Sequence, residues 1–211
     1  MIGMASIQIK WLGHSCFRVE CDGYAVVLDP FEPGSVPGCQ DINETADQVL
    51  CSHEHYDHNY RQGVVLRQDG RKNPFTIKAL DSFHDDCQGA KRGPNLIHLL
   101  EADGLRAGHF GDVGAMPPSQ VLEQLQGLDA IMLPVGGFYT VGPKEAQAIV
   151  EAISPRVVIP MHYRSDRFGF DVLGTVEEFL EICGRWVRCD SDTLEVVPEM
   201  SHYTAVLTYG G

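Results

Sequence analysis

Apolar and polar positions alternate along the first third of the chain, and short turn signals interrupt the alternation often. Ile7, Ile9 and Trp11 share one face of a period-two strand, and Cys16–Cys21 reads as a second. Asp22-Gly23 separates it from the apolar run Tyr24–Leu28. Both turn residues tolerate a left-handed backbone, so this two-residue link predicts a tight hairpin. A loop rich in proline, glycine and acidic residues occupies 30–47, and 48–51 predicts a short buried strand running straight into His53. A helix is expected at 59–67, a strand at 75–80 and a polar loop at 82–94. Asp103-Gly104 then joins two further strands, 95–101 and 105–110, in a second hairpin.

Beyond that point the period changes. Residues 118–126 carry helical spacing, with Val121, Leu122 and Leu125 on one side. A buried strand is expected at 130–135, and Pro143 at a first helical position opens a helix to Ile153. Residues 156–160 form another apolar strand. Thr175-Val176-Glu177-Glu178 is a capping box for a helix reaching Cys183, and strands near 194–197 and 203–209 complete the pattern. Two Asp-Gly hairpins demand antiparallel pairing, which argues against a plain doubly wound parallel sheet. Two sheets back to back with helices outside satisfy both halves.

Composition narrows the class. The 211 residues suit one domain spanning 1–211, and 44% apolar with 21% charged is globular rather than disordered. Sixteen Lys and Arg against 29 Asp and Glu leave a net charge of −13. That balance disfavours nucleic acid or an anionic membrane as main partner and points to a small-molecule substrate. No apolar run approaches the ~18 residues of a membrane span, and the first ten residues lack the pattern of a secretion signal. Seven cysteines without CxxC spacing read as reduced thiols of a cytoplasmic protein. Assembly into a homo-oligomer stays open.

The chemistry concentrates in Ser52-His53-Glu54-His55-Tyr56-Asp57-His58-Asn59, where three of nine histidines and an aspartate follow a strand. Imidazole nitrogen and carboxylate oxygen are the donors that zinc and similar divalent ions take. A loop leaving a strand can turn His53 and His55 toward one ion and leave Asp57 and His58 near a neighbouring position. Farther on, Gly111-Asp112 follows a strand, with the glycine allowing close backbone approach. His162 ends the apolar stretch Val157-Val158-Ile159-Pro160-Met161.

This stretch resembles the His-x-His-x-Asp-His signature of the metallo-β-lactamase superfamily. The resemblance extends to Trp11-Leu12-Gly13-His14-Ser15-Cys16-Phe17, Leu28-Asp29-Pro30, Gly111-Asp112 and Ile159-Pro160-Met161-His162-Tyr163. It is strongest to the metal-dependent hydrolase branch, which includes ascorbate-6-phosphate lactonases and N-acyl-phosphatidylethanolamine phospholipase D. It implies a four-layer αββα sandwich with a dinuclear site at one sheet edge. His53, His55 and a third histidine would hold the first metal, and Asp57, His58 and His162 the second, with Asp112 bridging. His84 and His109 are the candidates for the third ligand. His84 is preferred because it follows a strand and precedes Asp112 by one hairpin, as the family's third-motif histidine does. Positions 109 and 112 face opposite sides of a strand unless Gly111 lets the chain turn. His109 would then support a ligand or face substrate.

His14 and Asp29 line the same edge by resemblance, Asp29 suiting the carboxylate that orients a ligating histidine. His98 and His202 read as strand or hairpin residues. Tyr139 and Tyr163 either offer a hydroxyl or pack. Lys91, Arg92, Arg164 and Arg167 are the cations placed to meet a phosphate or carboxylate. The expected cofactor is two divalent ions, zinc first, with manganese and iron accepting the same donors. The expected reaction is hydrolysis of an ester-type bond, a phosphodiester or a lactone, by a metal-bridging hydroxide, with Asp57 orienting the nucleophile. No Gly-x-Ser-x-Gly or phosphate-binding GxxxxGK[ST] competes with it. A di-iron redox protein or a non-catalytic metal-binding module are the alternatives; the flavin domain of the first has no room in 211 residues.

Overall fold

Period-two patterning in the first quarter produces a meander. In the computed structural model, which describes residues 5–211, β1 (Ile7–Gly13), β2 (Cys16–Cys21) and β3 (Tyr24–Leu28) pair antiparallel in sequence. The Asp22-Gly23 turn has φ 50° and 76°, the left-handed pair its residue types allow. Two short strands follow, β4 (Glu44–Ala46) and β5 (Gln48–Leu50), the second half-buried and parallel to β3.

The helix expected at 59–67 is absent. Arg61–Gly63 is one 3₁₀ turn, and the β-branched pair after it continues as β6 (Val64–Leu66), parallel to β4. Burial explains the outcome. Val64, Ala46, Ile42, Val36 and Phe31 pack over Cys16, Ala25 and Val27, covering the outward face of the first sheet. The layer that a four-layer sandwich fills with helix on this side is loop and two-stranded sheet.

The second sheet opens with β7 (Thr76–Phe83), β8 (Pro94–Ala102) and β9 (Leu105–His109), an antiparallel run whose second turn, Asp103-Gly104, repeats the left-handed pair at 51° and 79°. Then α1 (Ser119–Leu125), β10 (Ala130–Pro134), α2 (Pro143–Ile153) and β11 (Val157–Met161) alternate as the sequence predicts. β9, β10 and β11 are neighbours and parallel. Right-handed crossovers therefore place both helices on one face of the sheet. α3 (Val176–Leu180) starts at the capping box, where the Thr175 N–H donates to Glu178 Oε1 at 3.2 Å, but ends before Cys183.

Three short strands finish the chain: β12 (Trp186–Arg188), β13 (Thr193–Val196) and β14 (Tyr203–Val206). β12 has no counterpart among the sequence expectations, because an exposed edge strand needs no alternation. The orders are β13-β1-β2-β3-β5 and β12-β14-β11-β10-β9-β8-β7. Ile7, Ile9, Trp11, Phe17 and Val26 of the first sheet share one core with Ile97, Leu99, Ala107 and Ile131 of the second. The mixed sandwich is the expected one. Its strand-end loops carry the histidines to a common edge.

Candidate metal centre

Asp112 is the meeting point. Its Oδ2 lies 3.2 Å from His58 Nε2, 3.3 Å from His84 Nε2 and 3.2 Å from His162 Nε2. Donor atoms of His53, His55 and His84 lie within 4.8 Å of one another, as do those of His14, Asp57, His58 and His162. One carboxylate oxygen thus touches both groups.

Backbone turns make the convergence possible. His109 ends β9, and Gly111 (φ 54°) reverses the chain so that Asp112 leaves the sheet. A Cβ at Gly111 would sit 2.3 Å from Ser52 Cβ and 2.4 Å from Asn95 Oδ1, so no side chain fits. Asn95 clamps this turn: its amide donates to the Phe110 carbonyl at 2.9 Å, and its Oδ1 accepts the Asp112 N–H at 2.9 Å. His162 follows β11 with φ 52°, and a Cβ at Gly136 would fall 2.2 Å from the His162 carbonyl oxygen. His14, Asp29 and His162 are all non-glycine residues in the left-handed region, where each costs of order 1–3 kcal/mol and persists only if its surroundings over-determine it.

Asp29 orients both histidine groups. Fully buried, it accepts the Ser52 N–H and Ser52 Oγ–H, each at 2.6 Å, and pairs with His58 Nδ1 at 2.8 Å. With its proton on Asp29, Ser52 Oγ receives His53 Nδ1–H at 2.9 Å. One carboxylate holds His58 directly and His53 through a hydroxyl, which leaves both Nε2 atoms as lone-pair donors facing the site.

The charges agree with that arrangement at His53 and His14. Burial, reinforced by His58, pushes His53 down to about 3. Burial and His162 push His14 down to about 4. These rings are neutral near pH 7. Burial opposes charge on His58 as well, but Asp112 and Asp57 outweigh it and hold its pKa well above the ordinary value, so Nε2 keeps a proton against those carboxylates that a binding cation must displace. Burial would likewise raise Asp112, yet His162 and His58 keep it ionised far below the usual carboxylate range.

Among the described residues, His53 Nε2, His58 Nε2, Asp112 Oδ1 and both ring nitrogens of His14 and His162 are buried without an aligned hydrogen-bond partner. Isolated orphans of this kind cost about 1–3 kcal/mol each. Several imidazole nitrogens converging on carboxylates are instead the donor set of divalent cations, so the residues present fit metal.

The residues expected as ligands, His53, His55, Asp57, His58, His84, Asp112 and His162, all reach this edge. His109 does not. Its ring is fully buried between the sheets, edge-on to Phe17; Nε2 meets the Ser15 carbonyl at 2.8 Å and Nδ1 accepts the Gly111 N–H at 3.3 Å. Both nitrogens are spent inside the protein. His14, left open by the sequence, stands 3.4 Å from Asp57 Oδ2 with its ring 4.1 Å from that of His162. His98 meets the Cys51 carbonyl and His202 the Pro155 carbonyl. Tyr163 packs against Trp11 and Phe168, its hydroxyl pKa raised by burial. Sequence reasoning missed Ser52 and Asn95, whose roles depend on partners distant in the chain. Beside the cluster opens a cavity of about 280 Å³ bordered by His55, Asp57, His84 and Asp112.

Comparison with known proteins agrees with this geometry. The family model of the beta-lactamase superfamily domain matches residues 8–162, which include every residue of the cluster. A Desulforamulus reducens protein described as a UPF0173 metal-dependent hydrolase is 29% identical over 75% of this chain and 85% of its own. A Thermococcus onnurineus protein of the same description is 28% identical, again over 75% and 85%. Among solved structures, a Thermotoga maritima protein described as a candidate Zn-dependent hydrolase of the metallo-β-lactamase superfamily is 30% identical. It covers 95% of this chain and 98% of its own with a TM-score of 0.74. Igni18, a metallo hydrolase of Ignicoccus hospitalis, shares the fold at 22% identity and a TM-score of 0.64, over 84% and 90% of the two chains. The fold, the clustered histidines and a family match over most of the sequence together place this chain in the beta-lactamase superfamily, among its metal-dependent hydrolases.

Proposed function

We propose that this chain is a dinuclear hydrolase that cleaves an ester-type bond, a phosphodiester or a lactone, in a small anionic substrate. The observation that carries the reading is Asp112 Oδ2, within 3.3 Å of histidines from both donor groups. His53, His55 and His84 would hold one ion and Asp57, His58 and His162 the other, with Asp112 within reach of both groups. Two divalent ions held there, zinc first and manganese or iron by the same donor chemistry, would supply Lewis acidity and a water of lowered pKa.

The chain's own residues set up that chemistry. Asp29 and Ser52 keep His53 and His58 in the tautomer that offers Nε2. Asp57, 15% exposed at its side chain, reaches the cavity while His14 holds its inner oxygen. His109 supports from within, tying the end of β9 to the turn that carries Ser15 and His14. The cavity is small-molecule sized, and the chain's strong net negative charge disfavours a nucleic-acid backbone. Seven unpaired cysteines fit the cytoplasm as its compartment.

The test is turnover of bis-p-nitrophenyl phosphate, p-nitrophenyl esters and dihydrocoumarin by protein loaded with zinc or manganese. Chelator-sensitive, metal-restorable hydrolysis of at least one class is expected. Asp57→Ala and Asp112→Ala should each lower bound metal and reduce turnover by about 100-fold or more. Full metal occupancy with no hydrolysis of any class contradicts the reading, as does wild-type metal content in both variants.

A further inference from the structure

The loop that follows His84 is built around one carboxylate. Asp85, 2% exposed, accepts backbone N–H groups from Cys87, Gly89, Lys91 and Arg92 at 2.8–2.9 Å. The loop is closed at its base by His84 N–H on the Gly93 carbonyl at 3.1 Å. A loop fixed this way delivers its last side chain, Arg92, to one place.

That place is the mouth of the cavity beside the cluster. The Arg92 guanidinium lies 5.7 Å over the Tyr139 ring and donates to the Phe138 carbonyl at 3.2 Å. Phe138 has φ 61° and is 62% exposed. A bulky residue in the left-handed region without burial to compensate marks backbone held for a purpose other than packing. Among the described residues Arg92 makes that single side-chain hydrogen bond, so most of its five N–H donors are free. Among the described residues it is also the only permanently cationic side chain on the cavity wall, whose remaining rim is aromatic: Tyr56, Tyr139 and Phe170.

In a protein of net charge −13, anions are repelled everywhere except where a local cation faces them. We infer that Arg92 is a specificity-determining residue, its planar fork binding a carboxylate or phosphate group of the substrate while Tyr56, Tyr139 and Phe170 take a flat apolar group beside it. The inference rests on the hydrolase reading for the word substrate, but the binding it describes does not need turnover.

Zinc-loaded wild type, Arg92→Gln and Arg92→Lys would be compared on mono-p-nitrophenyl succinate, on neutral p-nitrophenyl butyrate, and for calorimetric binding of phenylphosphonate, which cannot be hydrolysed. Arg92→Gln should raise KM for the succinate and weaken phenylphosphonate by at least about 10-fold, with kcat/KM for the butyrate within about 2-fold. Arg92→Lys, which keeps charge but loses the fork, should recover part of the loss. Equal losses on both esters, or unchanged phenylphosphonate affinity in Arg92→Gln, would overturn the inference even if hydrolysis is normal. Phenylphosphonate affinity that falls 10-fold in a metal-loaded protein that hydrolyses no phosphodiester, ester or lactone probe would support anion recognition by Arg92 and refute the hydrolase reading.

Discussion

Asp29 illustrates how much one buried carboxylate can organise. Its carboxylate has no solvent contact, no arginine or lysine partner, and hydrogen bonds only to Ser52 and His58 among the described residues. Through them it aims two imidazoles, one from each donor group. Asp29→Asn keeps the shape but loses the acceptor that His58 Nδ1–H needs, and should weaken zinc binding about 10–100-fold. Ser52→Ala breaks only the link to His53, so it should weaken one of two zinc-binding phases and spare the other. Competition against a chromogenic chelator resolves the two phases, and equal loss of both in Ser52→Ala would show that the hydroxyl does not act through His53. The donors themselves were legible in the sequence because four lie within six positions, 53–58. The groups that orient them were less so. Asp29 is 29 positions from His58 and Asn95 is 17 from Asp112, separations that leave no local pattern.

At the scale of elements, strand ends do the positioning, and glycines at those ends allow it. Gly111 combines a left-handed φ with no space for a Cβ. Gly111→Ala should therefore destabilise the fold by roughly 2–4 kcal/mol, combining overpacking with backbone strain. Denaturant unfolding measures this, and a loss below about 1 kcal/mol would mean that the turn relaxes without strain. Both Asp-Gly hairpins and the Pro143–Ile153 helix could be read directly, because turn chemistry and helix entry are local properties. The region around 59–67 could not. Its apolar Val64 is drawn into a pairing with β4 that covers the first sheet, and that tertiary demand overrides the helical spacing. The exposed β12 carried no burial pattern to read.

For the whole molecule, two sheets meet in one apolar core while the polar, titratable residues collect at one edge. The charges there are mutually compensated only in part, and the orphaned nitrogens are donors of the kind divalent cations take. Metal should then stabilise the folded state well beyond its effect on activity. A ligand at 100 times its dissociation constant adds about 2.7 kcal/mol, which for a chain of this size raises Tm by roughly 5–10 °C. Stripping with a chelator and reloading with zinc, followed by thermal unfolding, should show that shift reversibly; an unchanged Tm at full occupancy would mean that metal binds outside the buried cluster.

The most direct measurement is anomalous diffraction at the zinc edge from crystals of the metal-loaded protein. Two peaks are predicted, one among His53, His55 and His84 and the other among Asp57, His58 and His162, with the Asp112 carboxylate touching both. A single peak, or peaks remote from Asp112, would contradict the shared-carboxylate centre.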